Sequence, residues 1–533
     1  MNNNKNEEFN ELYKKLKVWD EAILNEFDNK DISDNDYFNL GIKNEIISNA
    51  LNILINYFSG NIESAGIDNS CRTIIEALVI EEMNARGDIS DLQKRIYRYL
   101  YACVDWDNYK YFLKDIKIEH PNIERLKADK EKAINAMMQH FNCEQRDLEK
   151  GRIDIDDPCF FLQKKLKHSV RFSYLLNKYP LEFEQKSRAY SFFSIFIHPR
   201  CELDMEVKDR YLEFRDGKIV TILKAVEDYL NDKGMLLGKE ELTNIGDFDH
   251  DLFDNPTLSN NIWNIQKIWE AFDYLIKQLC FFENGFDAFS IDFFNQISSL
   301  IIDMMISVSL GYKEHAISNF KSFLESYSAF YSINMVKNVE EFKSIKKAYW
   351  VSSRIQLDEY FESINDASLN SRTIYGDEIK KLYDGFYKTR YKLNDFNEFC
   401  ENLKKNSLYA LSNEKKSYNR LVTDFVSAMF IDDDKRKDLI SVYKTAKDIA
   451  HASGYGFNAS KGVVDFNSHK ALFYAWKILL QYLLLADITY SENGKNVDLK
   501  PVIKLFQELG NEEVRKLKEL KTKYSDEDER ESK

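Results

Sequence analysis

Two stretches decide the fold: RTIIEAL at Arg72–Leu78 and KSFLESY at Lys321–Tyr327. Around the first, Cys71, Ile74, Ile75, Leu78 and Val79 recur at three- and four-residue spacing, and around the second Phe320, Phe323, Leu324 and Tyr327 do the same. That spacing is the helical period with one apolar face turned inward. Segments of the same kind fill the chain from about Asn35 to Glu508. The 533 residues include only 18 glycines and 6 prolines, under a twentieth of the chain against roughly 12% in average usage. Strand-and-turn folds use these residues at their turns; helix interiors exclude them, because glycine costs backbone entropy and proline lacks a donor. The sequence therefore predicts an all-α protein. With 44% apolar residues and 30% charged, it has material for a large packed core and is neither fibrous nor disordered in the main.

Comparing the halves goes further. An offset of 249 lays Arg72–Leu78 on Lys321–Tyr327, Leu100-Tyr101 on Tyr349-Trp350, and Tyr111-Phe112 on Tyr360-Phe361. An offset of 253 pairs Tyr190 with Tyr443, His198 with His451, Lys224 with Lys477, and Tyr229-Leu230 with Tyr482-Leu483. Identity within these blocks is low, and the matched charge classes and near-constant offsets carry the comparison. The expectation is two tandem helical-bundle repeats joined by an acidic linker. The N-terminal bundle covers 1–237 (repeat core 45–235), the linker 238–261, and the C-terminal bundle 262–490 (core 295–490). A C-terminal helix and charged tail fill 491–533, and the run KELKTKYSDEDERESK from Lys518 is expected to fray.

The charge balance of −14 with an isoelectric point near 5.3 argues against a protein that coats nucleic acid or anionic membrane non-specifically, while leaving room for a local basic stripe. Seven cysteines stand without a C-x-x-C pair, so neither a disulfide framework nor a thiolate zinc site is indicated, and a reducing cytoplasm fits. No metal or cofactor is called for. The first residues lack a signal-peptide core, and the apolar stretch Leu472–Ile488 is broken by Lys477 and Gln481, so no membrane span is expected.

Each half carries a basic residue four positions before a glutamate, Arg72/Glu76 and Lys321/Glu325. Such a pair shares one helix face. It reads either as a boundary salt bridge or as part of a polar crevice to which a later helix delivers His198 or His451. Pro199 follows the first histidine and Gly454 stands close after the second, which puts both histidines at helix ends, where the negative end of the macrodipole favours the protonated ring. Lys444 and Lys447 lie two turns and one turn before His451, with Asp448 at i−3. A stripe of two lysines and a histidine suits phosphate contact combined with proton transfer. Ser191 and Ser194 stand at the corresponding first-half positions, so the second half is the better candidate for chemistry. The acidic run Asp247–Asp254 fails the calcium-loop pattern, and GYGFNASKG at Gly454–Gly462 lacks the P-loop spacing.

Tandem all-α modules with R-x3-E on an early helix and an aromatic residue ahead of a late helix-end histidine look like a bacterial family of unknown function. More loosely, they resemble the HEPN (higher eukaryote and prokaryote nucleotide-binding) bundles of toxin and phage-defence systems. The resemblance implies metal-independent RNA cleavage by an endoribonuclease. His451 would move protons at a 2′-hydroxyl, Lys444 and Lys447 would stabilise the phosphorane-like charge, and Glu325 or Asp448 would orient the imidazole. Arg72, Glu76, Lys321 and His198 would line the binding surface, and RNA, a protein partner or a second copy would be the partner. The sequence departs from that pattern: Lys444-x6-His451 has lysine in place of arginine, and His198 has Ser191 at the same spacing. A non-enzymatic helical scaffold is the competing expectation.

Overall fold

The computed structural model describes residues 3–27, 32–61, 64–92, 94–99, 102–103, 106, 123–149, 188–190, 192–193, 205–232, 256–280, 288–336, 338, 340–349, 351–352, 377, 379–390, 392, 395–405, 407–411, 417–449, 461–492 and 497–531. Among these the chain is helical, and no strand occurs. Helices α1 (Asn3–Phe27), α2 (Asp34–Phe58) and α3 (Ala65–Ala85) pack as consecutive neighbours, followed by α4 (Ile123–Phe141), the short α5 (Gln145–Glu149) and α6 (Met205–Asp232), which rests on α2 and α3. In the second half α7 (Pro256–Cys280), α8 (Ala288–Leu310) and α9 (Lys313–Asn334) again pack in sequence. Then come α10 (Phe396–Lys405), α11 (Tyr418–Met429), α12 (Asp433–Ile449), α13 (Lys461–Glu492) and α14 (Lys500–Glu531).

Local signals start these helices. Ser33 and Ser64 cap α2 and α3 by accepting the backbone N–H of Asp36 (3.2 Å) and Gly66 (3.0 Å), which satisfies donors that a helix start leaves open. Pro256 opens α7, where its missing N–H costs nothing; the helix thus begins inside the stretch 238–261 read as linker. The charged run after Lys518 does not fray in the expected place. Helix α14 continues to Glu531, because it is already nucleated against α13 and each further residue adds one backbone bond.

Helix α9 sits at the centre of the second half, touched by α8, α11, α12 and α13. Its aromatic side chains build the core there: Phe330 stacks on Phe293 with ring centres 3.7 Å apart, and Tyr327 meets Phe425 and Tyr482. The segments Ser290–Leu310 and Val464–Ile488 are long and apolar enough to cross a membrane by length and composition alone; 72% and 44% of them is buried within the protein.

The halves meet along a polar seam. Ser48, Asn52 and Asn56 recur every four residues on α2, and Ser299, Asp303 and Ser307 do so on α8; all six are buried. Across the seam Asn69 Nδ2 donates to Ser318 Oγ (3.0 Å), Ser64 Oγ to Asp303 Oδ2 (2.9 Å), and Ser299 Oγ to Asn61 Oδ1 (2.9 Å). His315 Nε2 lies 3.0 Å from both the hydroxyl and the carbonyl oxygen of Ser48. Gly66 lets Asp303 approach, since a β-carbon there would stand 1.9 Å from Oδ2. From α6, buried Arg215 holds the same corner, donating Nε and Nη2 to the two carboxylate oxygens of Asp68 (2.9 and 3.0 Å) and Nη2 also to the Ser64 carbonyl (3.0 Å).

Candidate functional site

Arg72 and Lys321 each reach the glutamate one turn on, at 3.3 Å (Arg72 Nη2 to Glu76 Oε1) and 3.4 Å (Lys321 Nζ to Glu325 Oε2). In both halves a tyrosine from a distant segment joins the pair. Arg72 Nε donates to the Tyr190 hydroxyl (3.1 Å), and the Tyr443 hydroxyl donates to Glu325 Oε1 (2.9 Å). The residues brought together are those that the offsets of 249 and 253 align. The two arrangements differ in burial: the Lys321 and Glu325 side chains are 9% and 4% exposed, those of Arg72 and Glu76 22% and 14%. An amphipathic reading of α9 assumes a solvent face, and the enclosure of that helix by four neighbours removes it.

Both tyrosines stay protonated at neutral pH. Burial, then the Glu76 carboxylate, pushes the Tyr190 hydroxyl up to about 12, and burial, then Glu325, holds Tyr443 far above its ordinary value. They are hydrogen-bond donors that fix a carboxylate, and neither is a base. Both carboxylate oxygens of Glu325 are engaged, Oε1 by the Tyr443 hydroxyl and Oε2 by Lys321.

Tyr443 connects this buried pair to the surface. Its hydroxyl lies 3.3 Å from Asn419 Oδ1 at the start of α11, and the same oxygen accepts from Lys447 Nζ (2.8 Å). Asn419 and Lys444 are exposed and Lys447 is half-buried. Helix α12 is held in this register from its other side, where Asp438 pairs with Lys470 and accepts from the Tyr474 hydroxyl (2.6 Å). Of the remaining residues expected at the site, His198 and His451 lie outside the described residues, and Asp448 is on α12 with its side chain outside them. The acidic run Asp247–Asp254 also lies outside them, whereas Lys461 and Gly462 of the glycine-containing loop open α13.

Sequence reasoning missed Asn419 and the Arg215–Asp68 clamp. A lone asparagine in YNRLVTDF and an arginine in a charged helix carry no periodic signal. The seam residues did carry one, a polar four-residue stripe inside otherwise apolar helices. No protein family, curated protein or solved structure matches the chain.

Proposed function

We propose that the chain is a tandem helical protein of the HEPN-like kind that binds RNA through its second half and cleaves it without a metal when His451 is present. The observation that carries the reading is the recurrence of one hydrogen-bonded arrangement, basic residue, glutamate and tyrosine, in both halves at sequence-matched positions. The relatedness of the halves is further supported by the seam. Asn69 meets Ser318 at the offset of 249, and Gly66 and His315, the same offset apart, each receive a polar residue from the long helix of the opposite half. Lys444 and Lys447 stand beside the second arrangement toward solvent, two turns and one turn before His451 in sequence. They supply positive charge for a phosphodiester, and His451 the proton transfer at a 2′-hydroxyl.

The test is expression of wild type, His451→Ala and the pair Lys444→Ala/Lys447→Ala, with growth and total RNA integrity followed together with RNA affinity of the purified proteins. Cleavage by wild type and its loss in His451→Ala support the full reading. RNA binding that depends on the lysines, with no cleavage by any form, reduces it to a silent RNA-binding relative. Equal behaviour of all forms in every assay removes it and leaves the helical scaffold. The scaffold reading has its own observation, the enclosure of Lys321 and Glu325, since buried ion pairs often serve helix register alone.

A further inference from the structure

Helix α13 has one face that its own chain leaves open. Lys477, Leu480, Leu484, Asp487 and Ile488 recur at steps of three, four, three and one residues, so they lie along one side of the helix. Leu484 is 41% exposed, Leu485 beside it 58% and Ile488 54%. With Ile431, at 93%, they make up four of the six exposed large hydrophobic side chains among the described residues. A contiguous apolar stripe with a charged rim is the mark of a contact surface.

Two unmatched charges bracket the stripe. Half-buried Lys477 places its Nζ 5.3 Å from the centre of the Phe430 ring and 5.5 Å from that of Phe473. Burial, then Lys435, lowers its ammonium from the ordinary value, against Asp432, which is itself paired with Lys435 at 3.2 Å. Asp487 is also half-buried. Among the described residues neither Lys477 nor Asp487 has an ion-pair partner. They stand ten residues apart, about 15 Å along the helix.

We infer that two copies of the chain pair antiparallel through this face of α13, Lys477 of each copy meeting Asp487 of the other while Leu480 and Leu484 pack between them. A two-fold axis at the level of Tyr482 exchanges position 477 with 487 and 480 with 484, so the stripe is complementary to itself. That is the requirement of an isologous interface. Opposite charges at the two ends of an apolar seam also fix which orientation is allowed, as flanking ion pairs do in coiled coils. An anionic membrane fits less well, since it would face Asp487 on a chain of net charge −14. One helix pair is small beside the standard interface of about 1,600 Å², so the dimer is expected to be weak, dissociating in the micromolar range. The inference is independent of the RNA-binding reading.

The experiment is sedimentation velocity of the full chain from low to high micromolar concentration, at low and high salt. The proteins are wild type, Leu484→Glu, Lys477→Glu, Asp487→Lys, Lys477→Glu/Asp487→Lys and, as a distant control, Lys504→Ala. Unfolding midpoints confirm that each is folded. Wild type and Lys504→Ala should dimerise alike, and Leu484→Glu should be monomeric because it sets carboxylates in the middle of the seam. Each single charge reversal places like charges at both ends and should weaken dimers by at least about tenfold. The double reversal restores both pairs and should dimerise within about threefold of wild type. An equimolar mixture of Lys477→Glu and Asp487→Lys should also recover dimers, since one protein presents only acidic ends and the other only basic ones.

A wild type that stays monomeric throughout overturns the inference, as does a dimer that Leu484→Glu and the charge reversals leave unchanged. Failure of both the double reversal and the mixture to recover dimers overturns the antiparallel pairing. Vesicles of phosphatidylcholine and phosphatidylglycerol test the rival occupant: a monomeric wild type that co-sediments with them, when Leu484→Glu does not, assigns the stripe to lipid and overturns the dimer.

Discussion

Asn69 and Ser318 hydrogen-bond across the seam between the halves, Nδ2 to Oγ at 3.0 Å. They stand 249 positions apart, the same offset as Arg72 and Lys321, which lie one turn further along α3 and α9. Two side chains in direct contact do not act independently when either is truncated. Asn69→Ala and Ser318→Ala should therefore be coupled. Each alone should cost about 1 kcal/mol, and the double variant little more than either single one. Urea unfolding of the four proteins measures this, and full additivity would dismiss the contact as an energetic link.

Gly66 and Gly217 should respond oppositely to alanine. At Gly66 the new β-carbon would stand 1.9 Å from Asp303 Oδ2, so the seam must open; a loss of about 1–3 kcal/mol is expected. At Gly217, helical and exposed on α6 with open space around it, alanine should add about 0.5–1 kcal/mol through helix propensity. A neutral Gly66→Ala would refute the close approach.

Two buried groups of the seam should give opposing pH dependences. Burial lifts Asp303 from 3.8 to about 6, against the stabilising hydroxyl donors of Ser64 and Ser307. A folded value above the unfolded one means that protonation favours the fold. This contribution is complete below pH 3.8 and lost as pH rises through 6. Burial lowers His315 from 6.5 to about 4, against the bond to the Ser48 carbonyl. The fold favours its neutral form, so that contribution is present above pH 6.5 and lost as pH falls toward 4. Asp303→Asn should therefore lose stability more steeply on acidification than wild type, and His315→Gln should gain, with differences of up to about 1.4 kcal/mol per pH unit. Denaturant unfolding between pH 4 and 7 decides; curves parallel to wild type would contradict both assignments.

Arg215 and Asp68 should be worth more to each other than to the fold. Arg215→Leu leaves a buried carboxylate without its guanidinium and should cost about 3–5 kcal/mol, whereas Asp68→Leu/Arg215→Leu should recover much of that loss. The comparison is made by thermal and urea unfolding. A double variant as unstable as the sum of the singles would mean that the pair is needed as ions.

What the residues announced and what they hid divide along one physical line. Periodicity is local, so the helices containing Cys71–Val79 and Phe320–Tyr327 were legible, as was the face shared by Lys321 and Glu325. Capping is local too, and Ser33 and Ser64 stand where helices begin. The alignment of Tyr190 with Tyr443 could also be read, though not the bond each makes, because a hydroxyl reaching a carboxylate 118 positions away depends on how α9 and α12 pack.

Tertiary structure decided burial and partnership. The chain by itself determined that the protein is helical and where its matched basic, acidic and tyrosine residues fall, since spacing along a helix sets which side chains share a face. Enclosure of α9 by four other helices decided that Lys321 and Glu325 face protein, and the close approach at Gly66 decided that Asp303 meets α3. The packing of α11 against α12 decided that Asn419 holds Lys447. Such contacts join residues that no sequence period relates, and only the packed arrangement of helices sets their distance and their dielectric surroundings.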